Sequence, residues 1–215
     1  MELTQLALWL NTTFAELDAS VTAAVHQLYL LGGNFMTFLM KAISFWGGYG
    51  GAPLIVLTLV LAFCQKTRRT GIAMAIAMAV GALITNLALK PLVLRPRPYT
   101  YDDSIYQQIW YIMGCPTETD FSFPSGHTTV ACSSALGALL SLYSQKKNAW
   151  WSTFLLVLFI ILMGVSRIYL AVHYFTDVIG GLVAGAIGGF SGNGLAGLIP
   201  SGFYAFRFGS GGNRE

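Results

Sequence analysis

Residues 166–177 read Ser-Arg-Ile-Tyr-Leu-Ala-Val-His-Tyr-Phe-Thr-Asp and lie between two long apolar segments. Ionisable side chains beside a hydrocarbon layer are costly unless they have partners or a function. His173 and Asp177 are four residues apart, so a helix would place them on one face, where the carboxylate can fix the imidazole tautomer. A histidine held in this way can act as a nucleophile. An interfacial salt-bridge cluster that includes Arg167 is the simpler alternative.

The composition predicts an integral membrane protein. Of 215 residues, 55% are hydrophobic and 10% are charged, and the mean hydropathy of +0.62 is too high for a surface that water covers completely. The net charge of +3 is small and no basic run with interleaved aromatic residues occurs, so nucleic-acid binding is not expected. Cys64, Cys115 and Cys132 have no metal-ligand spacing and indicate neither a zinc site nor a disulfide framework.

Five apolar segments approach the length of about 20 residues that a bilayer requires. They are residues 42–64, 70–89, 128–144, 149–168 and 175–199. Glycines and a proline at positions 47–53 predict a kink or a break in the first segment. In the fifth, Gly181, Gly185 and Gly189 have a spacing that lets another helix approach closely, most simply within the bundle. The predicted fold is therefore an all-α bundle of about five membrane-spanning helices.

The N-terminal region is predicted to lie against this bundle. Apolar residues recur at helical spacing from Leu17 to Leu31, which indicates an amphipathic helix. We therefore expect N-terminal interfacial helices at residues 1–35, a bundle that carries the candidate site at 36–200, and a cytoplasmic tail at 201–215. With five spans, the N-terminus would lie outside the cell.

Basic residues predict the orientation, since they are enriched in cytoplasmic loops. Those remote from the candidate site fall between the first and second spans, between the third and fourth, and after the fifth: Lys66, Arg68, Arg69, Lys146, Lys147, Arg207 and Arg214. The opposite side carries most of the acidic residues: Glu2, Glu16, Asp18, Asp102, Asp103, Glu118 and Asp120. Residues 166–177 are therefore expected on the extracytoplasmic side.

Two further polar motifs are predicted to meet residues 166–177 at that face. Lys90, followed by Arg97-Pro98, closes the second span, and residues 124–127, Pro-Ser-Gly-His, open the third. Backbone N–H groups at a helix start attract anions, and Gly126 would let the backbone come close to one. Cations at Lys90, Arg97 and Arg167 suit phosphate oxygens. Cations that extend to the membrane surface, or an ordinary helix cap, could explain each motif separately. They do not explain why all three motifs lie at the same membrane face.

The three motifs resemble the signature of the type 2 phosphatidic acid phosphatase superfamily, which includes vanadium-dependent haloperoxidases. Its pattern is K-x6-RP, then P-S-G-H, then S-R-x5-H-x3-D, and the resemblance covers roughly residues 42–194. It implies hydrolysis of phosphate esters without a metal or another cofactor. His173 would be the nucleophile, Asp177 would orient it, and His127 would protonate the leaving oxygen. The residues implied to bind the phosphoryl group are Lys90, Arg97, Ser125, Gly126 and Arg167.

Two features depart from this family pattern. Lipid phosphatases of the family usually have six spans, whereas five are predicted here. Arg95-Pro96 offers a second register for the first motif, but only Arg97 keeps the six-residue interval after Lys90. Arg95 is therefore expected to have a helper or headgroup-binding role.

The resemblance implies a lipid phosphate in a bacterial plasma membrane as the substrate. Candidates are undecaprenyl pyrophosphate, phosphatidylglycerol phosphate, phosphatidic acid and diacylglycerol pyrophosphate, and the aromatic loop at 99–123 is expected to cover the site unless its rings form an interfacial belt. A phosphotransferase is the alternative enzyme, since another lipid can also attack a phosphohistidine. A non-catalytic anion-binding membrane protein is the alternative outside enzymes, although binding alone would not require both histidines. The sequence leaves the oligomeric state open.

Overall fold

A computed structural model describes residues 3–48 and 51–205, and it contains no strand within those ranges. The predicted all-α class is confirmed. Its helices are α1 (Gln5–Thr13), α2 (Ala15–Phe45), α3 (Ala52–Phe63), α4 (Arg68–Ala82), α5 (Lys90–Val93), α6 (Ile105–Ile112), α7 (Gly126–Ser144), α8 (Trp150–Tyr169), α9 (Phe175–Gly197) and α10 (Ser201–Ala205). A π-helix, Leu83–Leu89, joins α4 to α5, and Pro98–Thr100 forms a short 3-10 turn.

Four segments of the described chain are long and apolar enough to cross a membrane. They are Ala15–Phe45, Arg68–Thr100, Trp150–Tyr169 and Phe175–Gly197. Helix α7 is less apolar because hydroxyl side chains such as Thr129 and Ser133 are buried against its neighbours. Its 19 residues extend about 28 Å, close to the thickness of a hydrocarbon core. The predicted second to fifth spans therefore each coincide with helical structure.

The predicted first span is wrong in its extent. Residues 42–64 are divided between the end of α2 and α3, with Gly51 in the left-handed region at φ 82°. The 12 residues of α3 extend only about 18 Å, too short to cross alone. The predicted break is present, but the helix before it continues back to Ala15, bent at Gly33. The amphipathic helix predicted to end at Leu31 is therefore continuous with the predicted first span. Apolar residues such as Phe35 and Phe38 lie exposed on the part of α2 that follows Leu31.

The predicted division into regions stays a prediction. Its first boundary, at residue 35, falls inside α2 just after the bend at Gly33. Glu2 and residues 206–215, with Arg207 and Arg214 in the predicted tail, lie outside the described residues.

Close packing among α4, α7 and α9 fixes the position of the functional side chains. A Cβ at Gly181 would lie 2.7 Å from the carbonyl oxygen of Ser125, and one at Gly188 would lie 2.6 Å from that of Ala77. Only glycine permits these approaches. At the end of the contact, the N–H of Ser125 donates to the carbonyl of Asp177 at 3.0 Å. The starts of α7 and α9 are therefore joined directly.

Candidate active site

The three sequence motifs meet at one end of the bundle, around a cavity of about 680 Å3. The predicted residues that line it are Lys90, Arg97, Gly126, His127, Arg167 and His173. Ser125 and Asp177 are fully buried and lie outside the lining. The loops after α3 and α7 lie at the opposite end, where the Gln145 amide donates to Thr70 at 3.2 Å. The bundle therefore has one polar site end and one basic loop end.

His173 lies in the turn between α8 and α9, and its two ring nitrogens have different surroundings. Nε2 is 2.9 Å from a guanidinium nitrogen of Arg97, and Nδ1 is 3.4 Å from Asp177 Oδ2. A guanidinium only donates, so Nε2 must accept and the hydrogen must reside on Nδ1, facing the carboxylate. Burial and the cations Arg97, Arg167 and Lys90 lower the pKa of His173 well below 6.5. The imidazole is therefore neutral.

Asp177 occupies the first turn of α9 and is completely buried. Its Oδ2 accepts hydrogen bonds from the Tyr174 N–H at 3.0 Å and from the Ser122 hydroxyl. Its Oδ1 accepts from Arg95 at 2.7 Å. The prediction that His173 and Asp177 share a helical face is wrong, because His173 precedes the N-cap residue of α9. The cap itself turns the carboxylate towards the imidazole.

The cavity's three cations are paired with carboxylates from the loop between α6 and α7. Asp120 forms ion pairs with Lys90 and Arg97, and Glu118 forms one with Arg167. Burial alone would raise the pKa of Asp120, but Lys90 and Arg97 outweigh it and lower that pKa. Residues 116–120 of this loop line the cavity, whereas none of the aromatic side chains at positions 99–111 does. The carboxylates of the loop occupy donors that an anionic ligand would use.

Arg97 and Arg167 are held by contacts that leave them facing the cavity. Arg97 also donates to the carbonyls of Asp120 at 3.0 Å and Val172 at 2.9 Å. Arg167 donates to the hydroxyl of Ser44 at the end of α2. Its Nε is buried and has no acceptor among residues 3–48 and 51–205. One donor of Arg167 thus remains unsatisfied within the described chain.

Helix α7 presents its first turn to the same cavity. Ser125 caps the helix by accepting from the Thr128 N–H at 3.4 Å, and His127 follows in the first turn. A Cβ at Gly47 would lie 3.0 Å from that of His127, so the glycine-rich turn after α2 packs directly on this imidazole. His127 and His173 both line the cavity.

Arg95 lies behind the cavity. It is 1% exposed, does not line the cavity, and donates to Asp18, Asp177, Thr176 and Asn11. The expected helper or headgroup-binding role of Arg95 stays a prediction. Sequence reasoning missed the roles of Asp18, Ser44 and Ser122, which no local motif marks. Their partners lie far away in the sequence.

The donor sets do not form a recognisable metal centre. Among the described residues, no group of three or more histidine, cysteine, aspartate or glutamate side chains is arranged to hold a metal ion. Independence from metals stays a prediction.

Comparison with known proteins places this site in a family. The PAP2 superfamily model matches residues 70–192, more than half of the 215-residue chain. The chain belongs to the PAP2 superfamily. As a PAP2 protein whose relatives are membrane lipid phosphatases, it is a hydrolase that acts on phosphate esters.

Two curated relatives and one solved structure illustrate the PAP2 similarity. An undecaprenyl-diphosphatase of Sulfolobus acidocaldarius is 28% identical over 75% of this chain and 73% of its own. The undecaprenyl-diphosphatase BcrC of Bacillus subtilis is 30% identical over 65% of each. The crystal structure of a transmembrane PAP2-type phosphatidylglycerolphosphate phosphatase from Bacillus subtilis matches with TM-score 0.67 and 26% identity, covering 91% of this chain and 92% of that one.

Proposed function

We propose that this PAP2 phosphatase hydrolyses a phosphomonoester or pyrophosphate of a membrane lipid through a phosphohistidine formed on His173. One observation carries the proposal. The unprotonated Nε2 of His173 faces a cavity lined by Lys90, Arg97 and Arg167, while Nδ1 faces the buried carboxylate of Asp177. A neutral imidazole with an oriented lone pair beside three cations is equipped to attack a phosphate.

In the first step, the Nε2 lone pair of His173 attacks phosphorus and the bond from phosphorus to the lipid oxygen breaks. Asp177 stabilises the positive charge that develops on the ring, and the three cations stabilise the charge on the phosphoryl oxygens. His127 lines the same cavity and donates a proton to the departing oxygen. The products of this step are the dephosphorylated lipid and a covalent phosphohistidine.

In the second step, water attacks phosphorus and the N–P bond breaks. His127, now neutral, accepts a proton from the water, and His173 regains its neutral form. Inorganic phosphate leaves. The same proton donor and acceptor therefore serves both steps.

Substrate binding requires the loop between α6 and α7 to move. Asp120 and Glu118 now pair with the cations that would bind the phosphoryl group. Two carboxylates and a phosphate cannot share those donors, because their charges repel. The phosphate must therefore displace both side chains.

A lipid substrate is supported by an apolar cavity of about 380 Å3 beside the site. Ile43, Trp46, Leu57 and Phe159 help to line it. We call the cavity lined by Lys90, Arg97 and Arg167 the cation cavity. Ser44 and Phe45 line it, and they belong to the same stretch of chain as Ile43 and Trp46. We assign the apolar cavity to the hydrocarbon chain and the cation cavity to the phosphate. The names of the relatives favour undecaprenyl diphosphate and phosphatidylglycerophosphate as the first substrates to test.

We also propose that the site faces away from the cytoplasm. The loops with Lys66 and Lys146 belong to the opposite end of the bundle, and basic loops are retained in the cytoplasm. A cysteine placed at Lys146 should resist an impermeant reagent added to intact cells, whereas one placed at Asp102 should react. Labelling only at Lys146 would contradict this orientation.

The decisive experiment measures phosphate release by purified protein from undecaprenyl pyrophosphate, phosphatidylglycerol phosphate, phosphatidic acid and diacylglycerol pyrophosphate. We expect turnover of at least one lipid, undiminished by chelator and abolished in His173→Ala. Rapid alkaline quenching should recover acid-labile label on the wild-type protein with phosphorus-labelled lipid, and on His127→Ala with a labelled activated aryl phosphate, whose leaving oxygen needs little protonation. Label on His173→Ala would identify another nucleophile. Transfer of label to an added lipid acceptor, without phosphate release, would identify a phosphotransferase.

A further inference from the structure

A second charged cluster lies behind the predicted nucleophile, and of its members the proposed reaction uses only Asp177. Arg95 is 1% exposed and bridges two buried carboxylates, with Nη1 2.7 Å from Asp177 Oδ1 and Nη2 2.9 Å from Asp18 Oδ2. Its guanidinium also lies 3.8 Å above the centre of the Tyr174 ring. We call Asp18, Arg95 and Asp177 the rear cluster.

Asp18 extends the rear cluster to the N-terminal part of the chain. It lies on α2, and its Oδ1 accepts the N–H of Thr176 at 2.9 Å. Its Oδ2 accepts the Thr176 hydroxyl at 2.9 Å in addition to Arg95. One carboxylate thus holds both the guanidinium and the first turn of α9, which carries Asp177.

The two carboxylate oxygens of Asp177 face different partners. Oδ1 is occupied by Arg95, whereas Oδ2 lies 3.4 Å from His173 Nδ1. The guanidinium reaches Asp177 through Nη1 and Asp18 through Nη2, so its rigid, planar fork holds the two carboxylates in a fixed relation to each other. It also places a positive charge directly against a fully buried carboxylate, and a buried charge requires such a partner. A carboxylate oriented in this way accepts from the Nδ1–H tautomer of His173. The Nε2 lone pair then accepts from Arg97 and can attack phosphorus once that contact is released.

We propose that Arg95 is a positioning residue for the phosphatase reaction, held in place by Asp18, and acts on His173 through Asp177. The inference rests on the proposed nucleophilic role of His173. It assigns helix α2 a part in the reaction although Asp18 does not line the cation cavity. Arg95 therefore supports the chemical step and contributes nothing directly to phosphate binding.

A double-mutant cycle on kcat tests this dependence. Arg95→Lys keeps the charge but loses the fork, and should lower kcat on the order of 10- to 100-fold with KM changed less than about threefold. In an Asp177→Asn background the same substitution should change kcat less than about twofold, because the group through which Arg95 acts has already been altered. An equal fold-loss in both backgrounds would overturn the proposal, as would a raised KM with unchanged kcat.

Arg68→Lys is the matched control for loss of a buried arginine. Arg68 is 3% exposed and donates to the carbonyls of Ala62, Phe203 and Tyr204 at the opposite end of the bundle. Its substitution should leave kcat unchanged. If Arg68→Lys lowered kcat as much as Arg95→Lys does, the loss would reflect general damage to the fold and the proposal would fail.

Nitrogen-15 NMR supplies a readout that does not depend on turnover. The chain has only three histidines, and His173→Gln assigns the signal of interest. Wild type should show the Nδ1–H tautomer, and both Arg95→Lys and Asp18→Asn should show a mixture of tautomers. An unchanged tautomer in both variants, with lowered thermal stability, would make the rear cluster merely structural. A perturbed tautomer in a protein that hydrolyses no lipid phosphate would refute the proposed function while the positioning role of Arg95 remained.

Discussion

Arg95 and Arg97 are separated by a single proline, yet they belong to clusters that differ in one physical respect. The carboxylates around Arg95 are fully buried, with Asp18 and Asp177 at 1% and 0% exposure. We call Lys90, Arg97 and Arg167, with their partners Asp120 and Glu118, the front cluster. Its carboxylates are accessible, since the side chains of Asp120 and Glu118 are 47% and 27% exposed. A buried ion pair that loses one partner leaves an uncompensated charge, whereas an exposed carboxylate can move into water. Similar residues therefore form a fixed support behind His173 and an exchangeable site in front of it.

Breaking the fixed support should have the largest effect. Asp177→Asn keeps the shape of the side chain but removes its charge and can present an amide N–H to Nδ1, which favours the wrong tautomer of His173. We therefore expect kcat to fall by roughly 10³- to 10⁴-fold with little change in KM. Steady-state kinetics with the best lipid substrate checks this expectation. A loss confined to KM would mean that Asp177 belongs to the binding cluster.

Substituting Arg97 in the front cluster should affect phosphate binding as well as the chemical step. Arg97→Lys loses the forked contact that faces both phosphate and His173, so inorganic phosphate should bind on the order of tenfold more weakly. The inhibition constant for phosphate measures this change. Arg95→Lys is the matched variant and should leave that constant within about twofold of wild type. Equal weakening in the two variants would erase the distinction between the clusters.

Removing an exchangeable carboxylate should act in the opposite direction. Asp120→Asn frees Lys90 and Arg97 from a competing charge, so phosphate should bind about three- to tenfold more tightly. Asp102→Asn provides a control in the segment between α5 and α6, since Asp102 accepts from Gln107 and forms no ion pair with Lys90 or Arg97 in the described chain. Weaker binding in Asp120→Asn would show that the loop builds the site and does not compete for it.

The smallest effect concerns the charge of His173 at mildly acidic pH. The surrounding groups are Arg97, Lys90 and Arg167 from the cation cavity, Asp120 and Ser122 from the loop, and Asp177 from α9. Burial and the cations lower its pKa, so the neutral form persists below pH 6.5 and is lost only when the pH falls through the lowered value. The nitrogen-15 signal of His173 should therefore remain that of a neutral ring at pH 6. Half-protonation near pH 6.5 would contradict the described electrostatics.

The sequence predicted the cations of the front cluster because they lie in short motifs at the ends of recognisable spans, but it did not predict their partners Asp120 and Glu118. Lys90, Arg97 and Arg167 could be assigned to one membrane face from helix order and loop charge alone. The rear cluster could not be predicted in this way. Asp18 and Arg95 are 77 residues apart, and nothing local distinguishes Asp18 from the other acidic residues of the chain.

The first span was mispredicted for a related reason. Helix α2 carries only a moderate mean hydropathy of 1.3, and apolar residues occur on more than one face. A window of sequence can then fit either an amphipathic helix or a spanning one, and tertiary contacts decide between them. The break at the glycine-rich turn could be predicted because backbone constraints are local. The length of the helix before it could not be predicted from the sequence.

The composition of the rear cluster also constrains how the protein is assembled. Asp18 is synthesised long before Arg95, and Thr176, the other residue it holds, follows it by 158 positions. Until those segments are inserted, the Asp18 carboxylate lacks both the Arg95 guanidinium and the N–H groups at the start of α9. An unpaired charge near the hydrocarbon layer is costly. The charges are compensated only when α2, the chain after α5, and α9 have all docked. We therefore expect closure of the bundle and orientation of His173 to occur together, so that a partly inserted chain would lack the proposed nucleophile in its oriented form.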